Sequence, residues 1–122
     1  MNIDFYWWER FPGDIVPGAS SDVLSDSGMD YIDCLFCDSG GIKFDDPIYL
    51  DLLDEGIHGV EQIKKREIDY FDWCLSYWGA ELEKGQAKIY SLCDEDFFAM
   101  VDLDDFEKAL KEWKYFVLSK QE

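Results

Sequence analysis

Histidine and basic residues are scarce in this chain, and each shortage argues against a class of function. The single histidine, His58, sits in Glu55-Gly56-Ile57-His58-Gly59. A mechanism built on an imidazole base has that one candidate, in a segment that reads as a loop, and no G-x-S-x-G nucleophile turn for it to serve. Lys and Arg number 11 against 28 Asp and Glu, a formal net charge of −17. A field of that sign repels phosphate backbones and anionic lipid, which argues against direct binding to nucleic acid or membrane. No apolar run approaches the ~20 residues that span a bilayer. No basic leader with an apolar stretch and a small-residue cleavage site opens Met1-Asn2-Ile3-Asp4-Phe5-Tyr6-Trp7-Trp8-Glu9-Arg10, so a cytoplasmic protein with reduced cysteines is expected. Glycine-rich phosphate loops are also missing, which leaves nucleotide cofactors without a cradle.

What is present points to a folded binding protein. Apolar residues make 48% of the 122, and aromatics alone 17%, whereas acidic disordered tails have few aromatics. The length suits one domain, residues 1–122, with its own core. Solubility needs a net charge of only about 2–8, so the surplus implies a positively charged partner, drawn in by long-range steering. The charge is uneven: residues 1–60 hold thirteen carboxylates and two bases, residues 61–122 fifteen and nine.

The pattern along the chain predicts an α+β fold: a mostly antiparallel sheet packed with a long central helix and a C-terminal amphipathic helix. Ile3, Phe5 and Trp7 alternate as in a strand. Phe11 to Asp22, with two Pro-Gly pairs and Ser20-Ser21, reads as a loop that extends towards Asp30. Tyr31 to Cys37 reads as a second strand, turned at Asp38-Ser39-Gly40-Gly41 into a hairpin partner Ile42-Lys43-Phe44. Asp46-Pro47 suits a helix start, although Ile48 to Leu53 also alternates as a strand would. From Val60 to about Lys84 the apolar stripe Val60, Ile63, Phe71, Leu75, Trp78, Leu82 predicts a long helix, with Gly79 weakening its last turn. Ala87–Cys93 and Phe97–Leu103 read as strands. The last helix is the clearest, with Asp104 as its cap, Glu107 closing a capping box, and Phe106, Leu110, Trp113 and Val117 on one stripe.

Few residues offer chemistry. Cys34-Leu35-Phe36-Cys37 has zinc-knuckle spacing, and Cys74 and Cys93 would complete a four-sulfur set. On a strand, however, positions three apart face opposite sides of the sheet, and buried cysteine is common as a small apolar group. The reading is therefore no metal, no cofactor and no catalytic residue. Asp102-Leu103-Asp104-Asp105-Phe106 begins like a calcium loop but lacks the glycine at the sixth position. Trp78 and Trp113 fall on core stripes. Trp7 and Trp8 are adjacent on a strand, so one faces away from the core and could anchor a partner.

The ending from Met100 to Val117, a strand leading through Asp102-Leu103-Asp104-Asp105 into a helix with Phe106, Ala109-Leu110 and Trp113, resembles bacterial immunity proteins. These are the antidotes of contact-dependent growth inhibition and other polymorphic toxin systems. The resemblance implies a small, inert, cytoplasmic antitoxin that blocks a cognate basic toxin, a nuclease domain. An acidic DNA mimic or other inhibitor of a nucleic-acid-binding protein is the alternative, and a carboxylate- or cysteine-based enzyme the third reading. Recognition is expected on the more acidic first half, through Asp22, Asp26, Asp45, Asp46, Asp51, Asp54 and Glu55, with Trp8 as the aromatic anchor.

Overall fold

In the computed structural model, which describes residues 1–119, the chain is α+β. Its order is β1 (Ile3–Phe11), β2 (Asp14–Ser21), α1 (Tyr31–Phe36), α2 (Pro47–Lys64), β3 (Tyr70–Cys74), β4 (Trp78–Glu83), β5 (Gln86–Ser91), β6 (Phe98–Asp102) and α3 (Leu103–Ser119). β1 and β2 form a two-stranded antiparallel sheet, and β3-β4-β5-β6 a four-stranded antiparallel meander.

Several elements differ from the sequence pattern, each for a physical reason. The segment expected to be a loop from Phe11 is the turn and second strand of a hairpin: Pro12-Gly13 turns the chain, with Gly13 at φ 82°, and Asp14–Ser21 returns along β1. Pro17 is tolerated because each strand of a two-stranded sheet has an open edge. Tyr31–Cys37 is not a strand. Tyr31, Ile32, Leu35 and Phe36 are its buried residues, a helical spacing, and Asp30 caps the helix by accepting from the backbone N–H groups of Ile32 and Asp33. Asp30 also accepts from the backbone N–H and hydroxyl of Ser21, so one carboxylate starts α1 and fastens it to β2. Ile42–Phe44 forms no strand and instead leads into α2.

The expected long helix from Val60 to Lys84 is three elements. Asp46 and Pro47 do start a helix, as cap and first residue, and it ends at Lys64, where Arg66 takes φ 62° and turns the chain away. The remainder is β3 and β4. Their inward residues Trp73, Ala80 and Leu82 are buried and join Ala87 and Ile89 of β5 on one face. The helices cover that face closely. Gly56 and Gly59 of α2 leave room for the rings of Trp73 and Phe71, which a methyl group at either position would meet at 2.7 and 2.3 Å. The last helix begins one residue before the expected cap: Asp102, not Asp104, accepts from the N–H groups of Asp104 and Asp105. Glu107 closes no capping box and instead bonds Lys64. The stripe Phe106, Leu110, Trp113 and Val117 is buried as expected.

A polar chain threads the centre of the core. The Trp113 indole N–H donates to the Tyr49 hydroxyl at 2.8 Å, which donates to the Phe36 carbonyl at 2.6 Å. It joins α3, α2 and the end of α1, and burial pushes the Tyr49 hydroxyl far above its ordinary range, outweighing the opposing Trp113 bond. The β1–β2 hairpin packs on this helical layer through Phe5 against Trp113 and Trp7 stacked on Phe116 at 4.8 Å. No helix among the described residues is long and apolar enough to cross a membrane.

Candidate partner-binding surfaces

The acidic residues expected to bind a partner fall in three separate segments. Asp22 and Asp26 are exposed in the connection from β2 to α1, which is ordered by the Leu24–Asp30 bridge. Asp45 and Asp46 precede α2. Asp51, Asp54 and Glu55 lie on its outer side. Two of these have internal work: Asp46 caps α2 through the Ile48 N–H, and Asp54 pairs with Lys114 of α3. Asp22, Asp26, Asp45, Asp51 and Glu55 have no side-chain partner among the described residues. Trp8 is 44% exposed on the outer side of β1, while Trp7 faces α3.

Much of the chain's acidity is structural. Asp33 accepts the Ala19 N–H, and Asp38, almost fully buried, accepts the N–H groups of both Tyr77 and Trp78. That pair ties the loop after α1 to the β3–β4 turn. Beside it lies a groove of about 860 Å³, whose lining includes Arg10, Asp14, Asp38, Lys43 and Tyr77. Arg10 is neutralised by Asp14 at 2.8 Å. Both bases of the first sixty residues therefore line this groove, and its charge is mixed.

The cysteines are separated by the fold. Cys34 and Cys37 sit at α1, where burial pushes the Cys34 thiol up to about 11 and the Cys37 thiol higher still, with Asp33 beside it adding to the effect. Cys37 donates to Asp33 at 3.2 Å. Cys74 and Cys93 are exposed elsewhere. Among the described residues no group of three His, Cys, Asp or Glu side chains is placed to hold a metal ion. His58 is an exposed residue of α2 rather than of a loop.

A second surface was not visible in the sequence. The helices pack on one face of the four-stranded sheet, and the opposite face is open. The strand registers set its outward residues in three rows. One row runs Tyr70, Glu83, Gln86, Asp102; the next Asp72, Glu81, Lys88, Met100; the third Cys74, Gly79, Tyr90, Phe98. The Tyr90 ring lies over Gly79, where a side chain would collide at 2.8 Å. Its hydroxyl donates to Asp72 at 2.5 Å and lies 3.1 Å from Cys74. Burial, then the Asp72 bond, pushes that hydroxyl well above its ordinary range. The Lys88 ammonium sits 4.7 Å from the Phe98 ring centre. Tyr70, Phe98 and Met100 are 49%, 45% and 47% exposed. At one end Tyr77, Leu92 and Phe97 are exposed too, brought together by the Leu92 N–H on the Tyr77 carbonyl and the Ser91 N–H on the Phe97 carbonyl. The connection there carries Asp94, Glu95 and Asp96 in succession. The alternation of Tyr70, Asp72 and Cys74 was the available sign, but it was absorbed into the apparent helical stripe.

No family model, curated protein or solved structure matches the chain.

Proposed function

We propose that the chain is an immunity protein that binds and blocks a cognate basic toxin domain, a nuclease, by covering the cationic surface with which that domain holds its substrate. The observation that carries this reading is the formal net charge of −17, with most of the carboxylates outside the ion pairs of the fold. Ion pairs among the described residues engage only the side chains of Asp14, Asp54, Asp104, Asp105 and Glu107. A nuclease active site is a positive cleft, so such a field both steers encounter and matches the site electrostatically. Nothing in the chain needs to react: inhibition is steric and electrostatic, with carboxylates on Lys and Arg and aromatic groups supplying buried area. The resemblance of Met100–Val117 to immunity proteins supports the same role.

The test is co-expression with a basic toxin domain, sought first in the gene immediately upstream of this chain's own. The reading expects restored growth, a stable complex on gel filtration, and loss of nuclease activity on stoichiometric addition. A neighbouring domain that is neither basic nor inhibited refutes it.

A further inference from the structure

We infer that the basic partner docks on the open face of the four-stranded sheet, centred on Phe98 and Met100; this rests on the reading above, that the chain binds a basic protein. A sheet face in a small domain ordinarily packs against a second layer or carries polar side chains. This one has no second layer over it, and among its polar side chains it leaves Tyr70, Phe98 and Met100 exposed. Its outward strands and the β5–β6 connection present exposed aromatic and Met side chains, the composition of interface hot spots.

The charge around that apolar centre selects the occupant. Asp72, Glu81, Glu83 and Asp102 lie on the face, and Asp94, Glu95 and Asp96 in the connection at its end. The opposing bases are Lys88, whose ammonium is turned onto the Phe98 ring, and Lys84 in the β4–β5 turn. A second copy of the chain would bring like charge against like charge, which costs several kcal/mol at an interface. Lysine- and arginine-rich surface gains instead, with carboxylates as a rim around a core that excludes water. The outer side of α2 is a poorer match. Its Asp54 is already paired, and Ile48 is its one large exposed apolar side chain. The groove beside the hairpin holds Arg10 and Lys43 and is less complementary to a cation.

Three variants with thermal melts as folding controls separate the surfaces, with the basic toxin domain of the co-expression test as the probe. Phe98→Ser/Met100→Ser removes the apolar centre. Glu81→Lys/Glu95→Lys/Asp96→Lys reverses three carboxylates that have no side-chain partner among the described residues. Asp22→Lys/Asp51→Lys/Glu55→Lys makes the same change in net charge elsewhere. The first two should weaken affinity by about 30-fold or more and the third by less than about 5-fold, the contrast between central and peripheral contacts. Equal losses, or a larger loss from the third, overturn the assignment. In the unaltered protein, binding should shield Cys74 and Cys93 from alkylation, and full reactivity of both in the complex overturns it without any substitution. Failure of the wild type to bind that domain rejects the functional reading, and this inference with it. A wild-type dimer that Phe98→Ser/Met100→Ser dissolves assigns the face to a second copy instead.

Discussion

Replacing Tyr49 by Phe tests how the three helices are held together. The substitution keeps the ring, which touches Phe44 edge-on at 5.1 Å, and deletes a hydroxyl that is buried and doubly bonded. The Trp113 indole N–H and the Phe36 carbonyl are then left without a partner in a region where both residues are fully buried. Each buried group left unsatisfied costs about 1–3 kcal/mol, and relief of the hydroxyl's own desolvation returns part of it, for a net loss of about 2–4 kcal/mol. For a chain of this size that corresponds to a fall in Tm of roughly 8–15 °C. Urea unfolding followed by tryptophan fluorescence should show a lower midpoint at unchanged slope. Combining Tyr49→Phe with Trp113→Phe in a double-mutant cycle separates the bond from the cavity that loss of the indole leaves. The pH dependence has a defined sign as well. Because folding raises the Tyr49 hydroxyl above its unfolded value, the associated stability is complete below about pH 10 and falls as pH rises further, and the variant should lose part of that alkaline slope. A Tyr49→Phe protein within about 0.5 kcal/mol of wild type refutes the reasoning, since a bond of net value alone would already exceed that.

Three further outcomes follow from the packing and the ionisable groups. Gly59→Ala should destabilise by up to about 2 kcal/mol in urea unfolding even though alanine favours a helix by about 1 kcal/mol, because the new methyl group meets the Phe71 ring and overpacking costs about 1–3. Burial would raise the Glu107 carboxyl, but the Lys64 bond and the nearby Lys111 hold it below its ordinary value; the stability they provide is full above about pH 4.3 and is lost as pH falls below that, so Glu107→Gln should flatten the acid limb of a pH–stability curve. In thiol titration at neutral pH, exposed Cys93 should react first, and the partly buried Cys34 and Cys37, whose thiols burial pushes up, much more slowly.

The parts of the fold that were legible in the sequence had strong local signals. Phe106, Leu110, Trp113 and Val117 keep helical spacing over more than three turns, and Asp46-Pro47 pairs a capping side chain with a residue that fits only the first turn. Between Val60 and Lys84 the local signals misled. Val60 and Ile63 do belong to a helix, but Phe71, Leu75, Trp78 and Leu82 continue its spacing by coincidence across two strands. The break falls at Arg66, a non-glycine residue at positive φ, and the β3–β4 turn at Leu75-Ser76-Tyr77 lacks proline, glycine and asparagine. Gly79, read as a weak helix end, is instead the floor beneath Tyr90, a relation set by the tertiary pairing of β4 with β5. Tyr31–Phe36 is too short for periodicity to distinguish helix from strand, and the decisive contact, Asp30 to Ser21, spans nine residues. The net charge was legible. The face on which it surrounds exposed apolar groups was not, because that face exists only once four strands are in register.

The central claim is that the −17 charge serves recognition of a cationic protein. Its most direct test is the association rate of the chain with the basic domain that passes the co-expression test, measured by stopped flow from about 50 to 500 mM salt, where the screening length falls from roughly 14 to 4 Å. Steered binding predicts an association rate that drops by about tenfold or more while dissociation changes little; an association rate flat across that range contradicts it and leaves the charge without a part in recognition.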